Sequence, residues 1–242
     1  MSTFEETNEI VVVIIKSIHI SMSSRYLNEV ISAIFTDLWP VIKFFFEKFY
    51  NNEKVVEDLC QLMKHFIRGM GSNFLPFIDQ YFSFIINGYS AIPICSYLYS
   101  FEIVVTTYTN ELSIRDKIKN TLDLLCKQTL VYLPDLSKFY ILINYIGSFE
   151  NNTELSEDFF GLIERISRIN PVVIVGSELF ETLVCITINC LSIEHIDTSK
   201  NITYFLNKIV NVRKLAKNKE ITDEDKILIF NVSFNLKNNY RK

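Results

Sequence analysis

The chain has 242 residues, 49% of them apolar, with 20 Phe and 12 Tyr but only 6 Gly and 5 Pro. So few chain breakers point to long regular elements around a continuous core. A formal net charge of −4 excludes a generally basic nucleic-acid binder and leaves room only for a local basic strip.

Apolar residues recur at three- and four-residue spacing almost throughout, the period of amphipathic helices. The first predicted helix is Thr7–Met22; its β-branched run Ile10–Ile15 is followed by helical spacing at Ile18 and Met22. The second runs from Tyr26 to Phe49 and is expected to break or kink at Pro40, because proline removes a helix hydrogen bond. Glu53–Met70 follows a polar turn at Asn51-Asn52. On that helix Val55, Val56, Leu59, Leu62, Met63, Phe66, Ile67 and Met70 share one side at about 100° per residue. Lys54, Asp58, Gln61, Lys64 and Arg68 share the other.

Further helices are predicted at Phe74–Asn87, Ile92–Tyr108, Ile114–Tyr132, Leu136–Phe149, Ser156–Ile169, Ser177–Ser192, Ser199–Ala216 and Asp223–Tyr240. Asn73 and Ser90 are candidate N-caps. Thr222 to Asp225 reads as a capping sequence, with carboxylates in a helix first turn. Arg213, Lys214, Lys217 and Lys219 suit the end of the preceding helix. Gly69 and Gly71 close one helix and Asn170-Pro171 another. Helix starts come roughly every twenty residues, so a pair takes about forty, the period of HEAT and armadillo arrays. The expected fold is all-α: an α-solenoid of about five HEAT-type antiparallel pairs, an armadillo-like superhelix with 1–242 as one segment. An opening directly on an apolar helix fits part of a longer array or a shortened member of one.

The five cysteines form no Cys-x-x-Cys pair and read as free thiols, mostly buried. An acidic N-terminus (Glu5, Glu6, Glu9) is unlike a signal peptide, so the glycosylation sequons at Asn151, Asn201 and Asn231 are read as unused. The uncharged stretch from Gln80 to Phe101 is long enough to span a bilayer. It is interrupted by Asn87-Gly-Tyr-Ser90 and by Pro93, so two buried helices meeting at a turn describe it better.

Catalytic constellations are scarce, and no enzyme activity or cofactor is expected. His19, His65 and His195 have no partner at metal-ligand spacing. Gly69-Met-Gly71 is too short for a dinucleotide fingerprint and follows a helix, and no Gly-x-Ser-x-Gly elbow is present. Glu57/Asp58 and Glu157/Asp158 read as solvated helix faces. Lys54, Lys64 and Arg68 lie within about 80° on one face and could grip phosphates or acidic peptide groups. Asp58 and Gln61 share that strip, and a merely solvated face is the competing reading. The cluster Phe44, Phe45, Phe46, Phe49 and Tyr50 encircles its helix, which implies burial against neighbours on both sides.

Several motifs resemble a known family when taken in order. LWPVIKFFFEKF is followed by KVVEDLCQLMKHFIRGMG, FLPFIDQYFSFI and SYLYSFEIVVTTY. A second block, LSEDFFGLIERISRINPVVIV, is followed after one helix by NITYFLNKIV. Their order and spacing, over roughly Glu29 to Val210, resemble the later repeats of transportin-SR and importin 13, nuclear transport receptors of the importin-β (karyopherin) superfamily.

The resemblance implies a HEAT solenoid that carries protein cargo between cytoplasm and nucleus. Ran GTPase and nucleoporins would be its further partners, without direct nucleic-acid binding or membrane insertion. Cargo is clasped on the inner face, which is lined by the second helix of each pair. The Glu53–Met70 helix matches the one that transportin-SR enriches in arginine for phosphorylated Arg/Ser-rich cargo. Carried over, the candidate cargo-binding residues are Lys54, Gln61, Lys64 and Arg68. Basic character is kept at three of them, and the pattern is departed from at Asp58 and Gln61, so an importin 13-like cargo range is equally open. The family's main Ran-binding surface lies in N-terminal repeats, which this chain is expected to lack. A Ran-independent solenoid scaffold for protein interaction is the alternative.

Overall fold

The computed structural model describes residues 24–132, 149, 151–211, 223, 226, 227 and 230. The expected helices at Thr7–Met22 and Leu136–Phe149 lie outside these residues, apart from Phe149. The same holds for the Arg213 to Lys219 cluster and, apart from Asp223, the capping sequence from Thr222 to Asp225. The expected all-α class is what the structure has: among the described residues there is helix and no strand. The chain divides into two compact units, Met1–Tyr108 and Thr109–Lys242.

The first unit holds two helical hairpins. Helix α1 is Ser24–Phe49, α2 is Glu53–Met70, α3 is Ile78–Ala91 and α4 is Cys95–Thr107. A turn at Tyr50–Asn52 reverses the chain between α1 and α2, bringing Phe35 of α1 against Phe66 of α2 with ring centroids 4.8 Å apart. Phe35 also meets the rings of Trp39, Phe74 and Phe77, and is fully buried. The second hairpin is antiparallel as well, since Gly88 lies against Tyr97 and Phe82 against Phe101, and the Tyr81 hydroxyl bonds the Ser100 hydroxyl. Across the hairpins, Trp39 Nε1 donates to Gln80 Oε1 at 3.0 Å, and the Phe46 ring stacks on Phe84. These rings supply large buried areas with defined geometry.

Pro40 does not break α1. The residue is exposed, as is Thr36 four positions back, whose carbonyl loses its partner. Water can satisfy that carbonyl, while buried Trp39, Ile42 and Phe46 hold both halves of the helix to the core. The neighbouring aromatic cluster is also less enclosed than expected. Phe46 is buried, but Phe44 is 51% and Tyr50 40% exposed. Lys48 covers the Phe44 and Phe49 rings from the solvent side, its ammonium 5.2 and 5.4 Å from their centroids.

Two expected caps are not caps. Residues Gly71–Phe77 form a 3₁₀ turn, and Pro76 lies inside it, so α3 starts at Ile78 and Asn73 instead donates to the Ser32 hydroxyl. Ser90 falls in the last turn of α3, its hydroxyl bonding the Ile86 carbonyl at 2.6 Å. Ile92 is extended (φ −148°, ψ 121°), the conformation a following proline favours, which delays α4 to Cys95. The Gln80 to Phe101 stretch is thus two helices meeting at a turn. Among the described residues no helix is long and apolar enough to cross a membrane.

The second unit contains α5 (Arg115–Tyr132), α6 (Thr153–Ile169), the short α7 (Pro171–Val175), α8 (Phe180–Asn189) and α9 (Ile196–Val210). Helix α6 ends at Asn170-Pro171 as expected. Asn170 closes it by donating from Nδ2 to the Thr109 carbonyl, while the Thr109 hydroxyl donates to the Ile169 carbonyl. Helix α9 starts earlier than its sequence suggests because His195 acts as the N-cap, its ring accepting from the Thr198 amide. Buried Phe159, Phe160, Ile163, Ile166, Ile202, Phe205 and Ile209 give α6 and α9 their apolar faces.

The closest internal fit is at Gly88 of α3. A Cβ there would lie 2.2 Å from the Tyr97 hydroxyl, whose ring is fully buried and cannot retreat. Gly88→Ala is expected to cost about 1–3 kcal/mol in urea denaturation, the range of core overpacking. A neutral result would show that the two helices can part at no cost.

Candidate functional site

The site is built on α2. Asn52 nucleates it, its side chain accepting the Val55 amide at 3.1 Å. Glu53 in the first turn and Arg68 in the last complement the helix dipole. Gly71 ends the helix at φ +56°, a conformation that glycine takes without strain. All eight residues expected on the apolar side are buried, from Leu62 at 6% to Val56, Met63, Phe66 and Ile67 at 0% exposure. Cys60 joins them, which the periodicity count had left out. Burial raises its thiol to about 12, with a Ser100 hydrogen bond opposing that only in part.

Helix α4 runs parallel to α2, and two tyrosines fix its register. Tyr97, at the start of α4, donates its hydroxyl to the Tyr50 carbonyl just before α2. Tyr108, just past the end of α4, reaches the Gly71 carbonyl at 2.7 Å and the Ile67 carbonyl at 3.2 Å. Those carbonyls belong to the end of α2, where backbone acceptors lack helical partners. Burial raises both phenols above the usual tyrosine range, so they stay protonated and able to donate. Helices α2 and α4 are thus the second helices of successive hairpins, lying side by side.

The polar strip of α2 does not act as one row. Lys54 is exposed, but its ammonium lies 3.1 Å from Asp58 Oδ1 and 3.6 Å from Glu57 Oε2. The hydrogen bond and charge of Asp58, with Glu57 adding to them, hold Lys54 above the usual lysine range. Gln61 is exposed one turn further along. Lys64 is half-buried, its ammonium 5.6 Å over the ring centroid of Tyr99 on α4. Arg68 is exposed and forms no ion pair among the described residues. Sequence reasoning placed all four side chains on the outer face of α2 but missed Tyr99. Nothing in the pattern of α2 could reveal it, because it arrives from the next hairpin.

The surface can therefore hold an anion at one end. Its N-terminal half is internally neutralised, and its C-terminal half offers Lys64 and Arg68 one turn apart beside an aromatic ring. Two guanidinium or ammonium groups at that spacing suit carboxylate or phosphate groups on an extended segment. Among the described residues no group of His, Cys, Asp and Glu is arranged to hold a metal.

Residues 29–133 match the family model described as the Transportin-3/Importin-13 fourth TPR domain, a stretch that includes the whole of α2 and α4.

The two faces of α2 differ in a way that denaturation can read. Phe66→Ala is expected to cost about 3–5 kcal/mol. Arg68→Ala, two residues on, is expected to stay within about 0.5 kcal/mol. Similar losses at both positions would mean that the helix is turned differently about its axis.

Proposed function

We propose that this chain, whose residues 29–133 match the Transportin-3/Importin-13 fourth TPR domain, is a cargo-binding segment of a nuclear transport receptor of the importin-β superfamily. Its role is non-enzymatic: it holds a protein rather than transforming a substrate. Residues 1–242 are taken as one segment of such a receptor's helical solenoid. The observation that carries the reading is the side-by-side placement of α2 and α4 within the matched residues, with Lys64 and Arg68 outward at one end. The resemblance to that family supports protein cargo, Ran and nucleoporins as partners and shuttling between cytoplasm and nucleus.

Within the strip, Lys64 and Arg68 are the proposed cargo grips, with Gln61 a neutral hydrogen-bonding neighbour. Lys54 contributes less, because Asp58 and Glu57 already satisfy its charge. A cargo that fits this surface needs a short acidic or phosphorylated stretch rather than a long uniformly negative one.

The test is a pull-down of nuclear proteins by the full chain, with and without Ran locked in its GTP state. Specific nuclear proteins should be retained, and their release by GTP-bound Ran would show that Ran acts on this segment as well. Combining Lys64→Glu with Arg68→Glu should abolish retention, while Arg68→Glu alone, at an exposed position, should shift folding stability by only about 0.5 kcal/mol. Retention that ignores Ran would favour a Ran-independent scaffold, and no retention at all would overturn the receptor reading.

A further inference from the structure

We infer that Tyr99 is a positioning residue of this surface, and that the anion-binding face is shared between α2 and α4 rather than confined to α2. The inference rests on the cargo-binding reading and adds a residue from the neighbouring hairpin. Lysine carries a compact charge on a flexible stem, and its many rotamers must be narrowed before it can grip anything. Here the Tyr99 ring does the narrowing, since the face of an aromatic ring attracts an ammonium electrostatically. Lys64 is held 5.6 Å from that ring's centroid. Tyr99 is itself well placed: it lies half-buried on α4 between buried Leu98 and Ser100, on a helix whose two ends are bonded to backbone flanking α2.

The consequence is a division of labour. Tyr99 holds Lys64 at the seam between hairpins, and Arg68, one turn on, is exposed to solvent. An acidic peptide segment lying along that seam meets one cation held on a ring and one exposed cation. The ring matters for its π face, so phenylalanine should replace it and an aliphatic side chain of similar size should not.

The experiment is a double-mutant cycle read by fluorescence anisotropy, using a fluorescein-labelled oligoglutamate peptide and the full chain. Tyr99→Leu should weaken binding about two- to fivefold, the size of an exposed cation–π contact. Tyr99→Phe should bind like the parent. In a Lys64→Ala background, Tyr99→Leu should change nothing further, because the two residues act as one unit. Lys43→Ala on α1 serves as the charge control and should leave the affinity unaltered. Equal losses from Tyr99→Leu with and without Lys64 would overturn the inference, as would a Tyr99→Phe variant as weak as Tyr99→Leu. If Lys64→Ala and Arg68→Ala weaken binding while the Tyr99 variants do not, the cargo surface stands and only the role of Tyr99 falls. If the parent chain binds no oligoglutamate, the acidic-cargo reading falls and takes this inference with it.

Discussion

Everything proposed for this molecule depends on the register between α2 and α4. Apolar packing alone would hold two helices together while leaving their axial offset loosely defined, because dispersion and hydrophobic contacts are non-directional. The two tyrosine hydroxyls at the ends of α4 remove that freedom. They bond backbone carbonyls before the start and at the end of α2, on both sides of the buried stretch between them. A slip by one helical turn would leave buried phenols and carbonyls without partners. Each such loss costs roughly 1–3 kcal/mol, which exceeds what a few shifted apolar contacts could recover.

With the register fixed, the electrostatics of the exposed face follow from sequence order. Carboxylates at three and four residues from Lys54 close on it within the same helix. Such pairs add little stability at the surface, yet they neutralise a charge that would otherwise be offered to a partner. Lys64 comes to rest on an aromatic ring, and an aromatic face, unlike a carboxylate, attracts a cation without cancelling its charge. The strip that looks uniform as a list of residue types is therefore graded along its length.

This gradation explains how far the sequence could be read. The rotation of α2 was legible because eight apolar residues and five polar ones divide cleanly at the helical period, and each apolar one is buried. Pairing into hairpins was legible from helix length and spacing. Local signals fared worse where two of them competed. Ser90 looks like a cap, yet Ile92 becomes extended before Pro93, so the start of α4 moves past it. Pro40 looks like a break, yet the surrounding rings hold α1 together and the freed carbonyl faces water. Phe44 looks like core, yet a lysine stem covers part of it instead of a helix. Tyr99 was out of reach for a different reason: its distance from Lys64 along the chain is bridged only by tertiary structure.

The second unit uses the same kind of constraint with different residues. Asn201 on α9 donates its side-chain amide to the Glu157 carbonyl on α6, and His195, which caps α9, lies 4.0 Å from the Glu157 carboxylate. These contacts bring the N-terminal turns of α6 and α9 together and set their register, as Tyr97 and Tyr108 set that of α2 and α4. In both units the bond that aligns neighbouring helices runs from a side chain to a backbone carbonyl. A backbone acceptor is present whatever residue occupies the position, so alignment places no demand on the exposed side chains of the helix being gripped. The outer face of α2 can then vary in charge without disturbing the packing beneath it, which is the freedom a repeat scaffold needs to suit its surface to a particular partner.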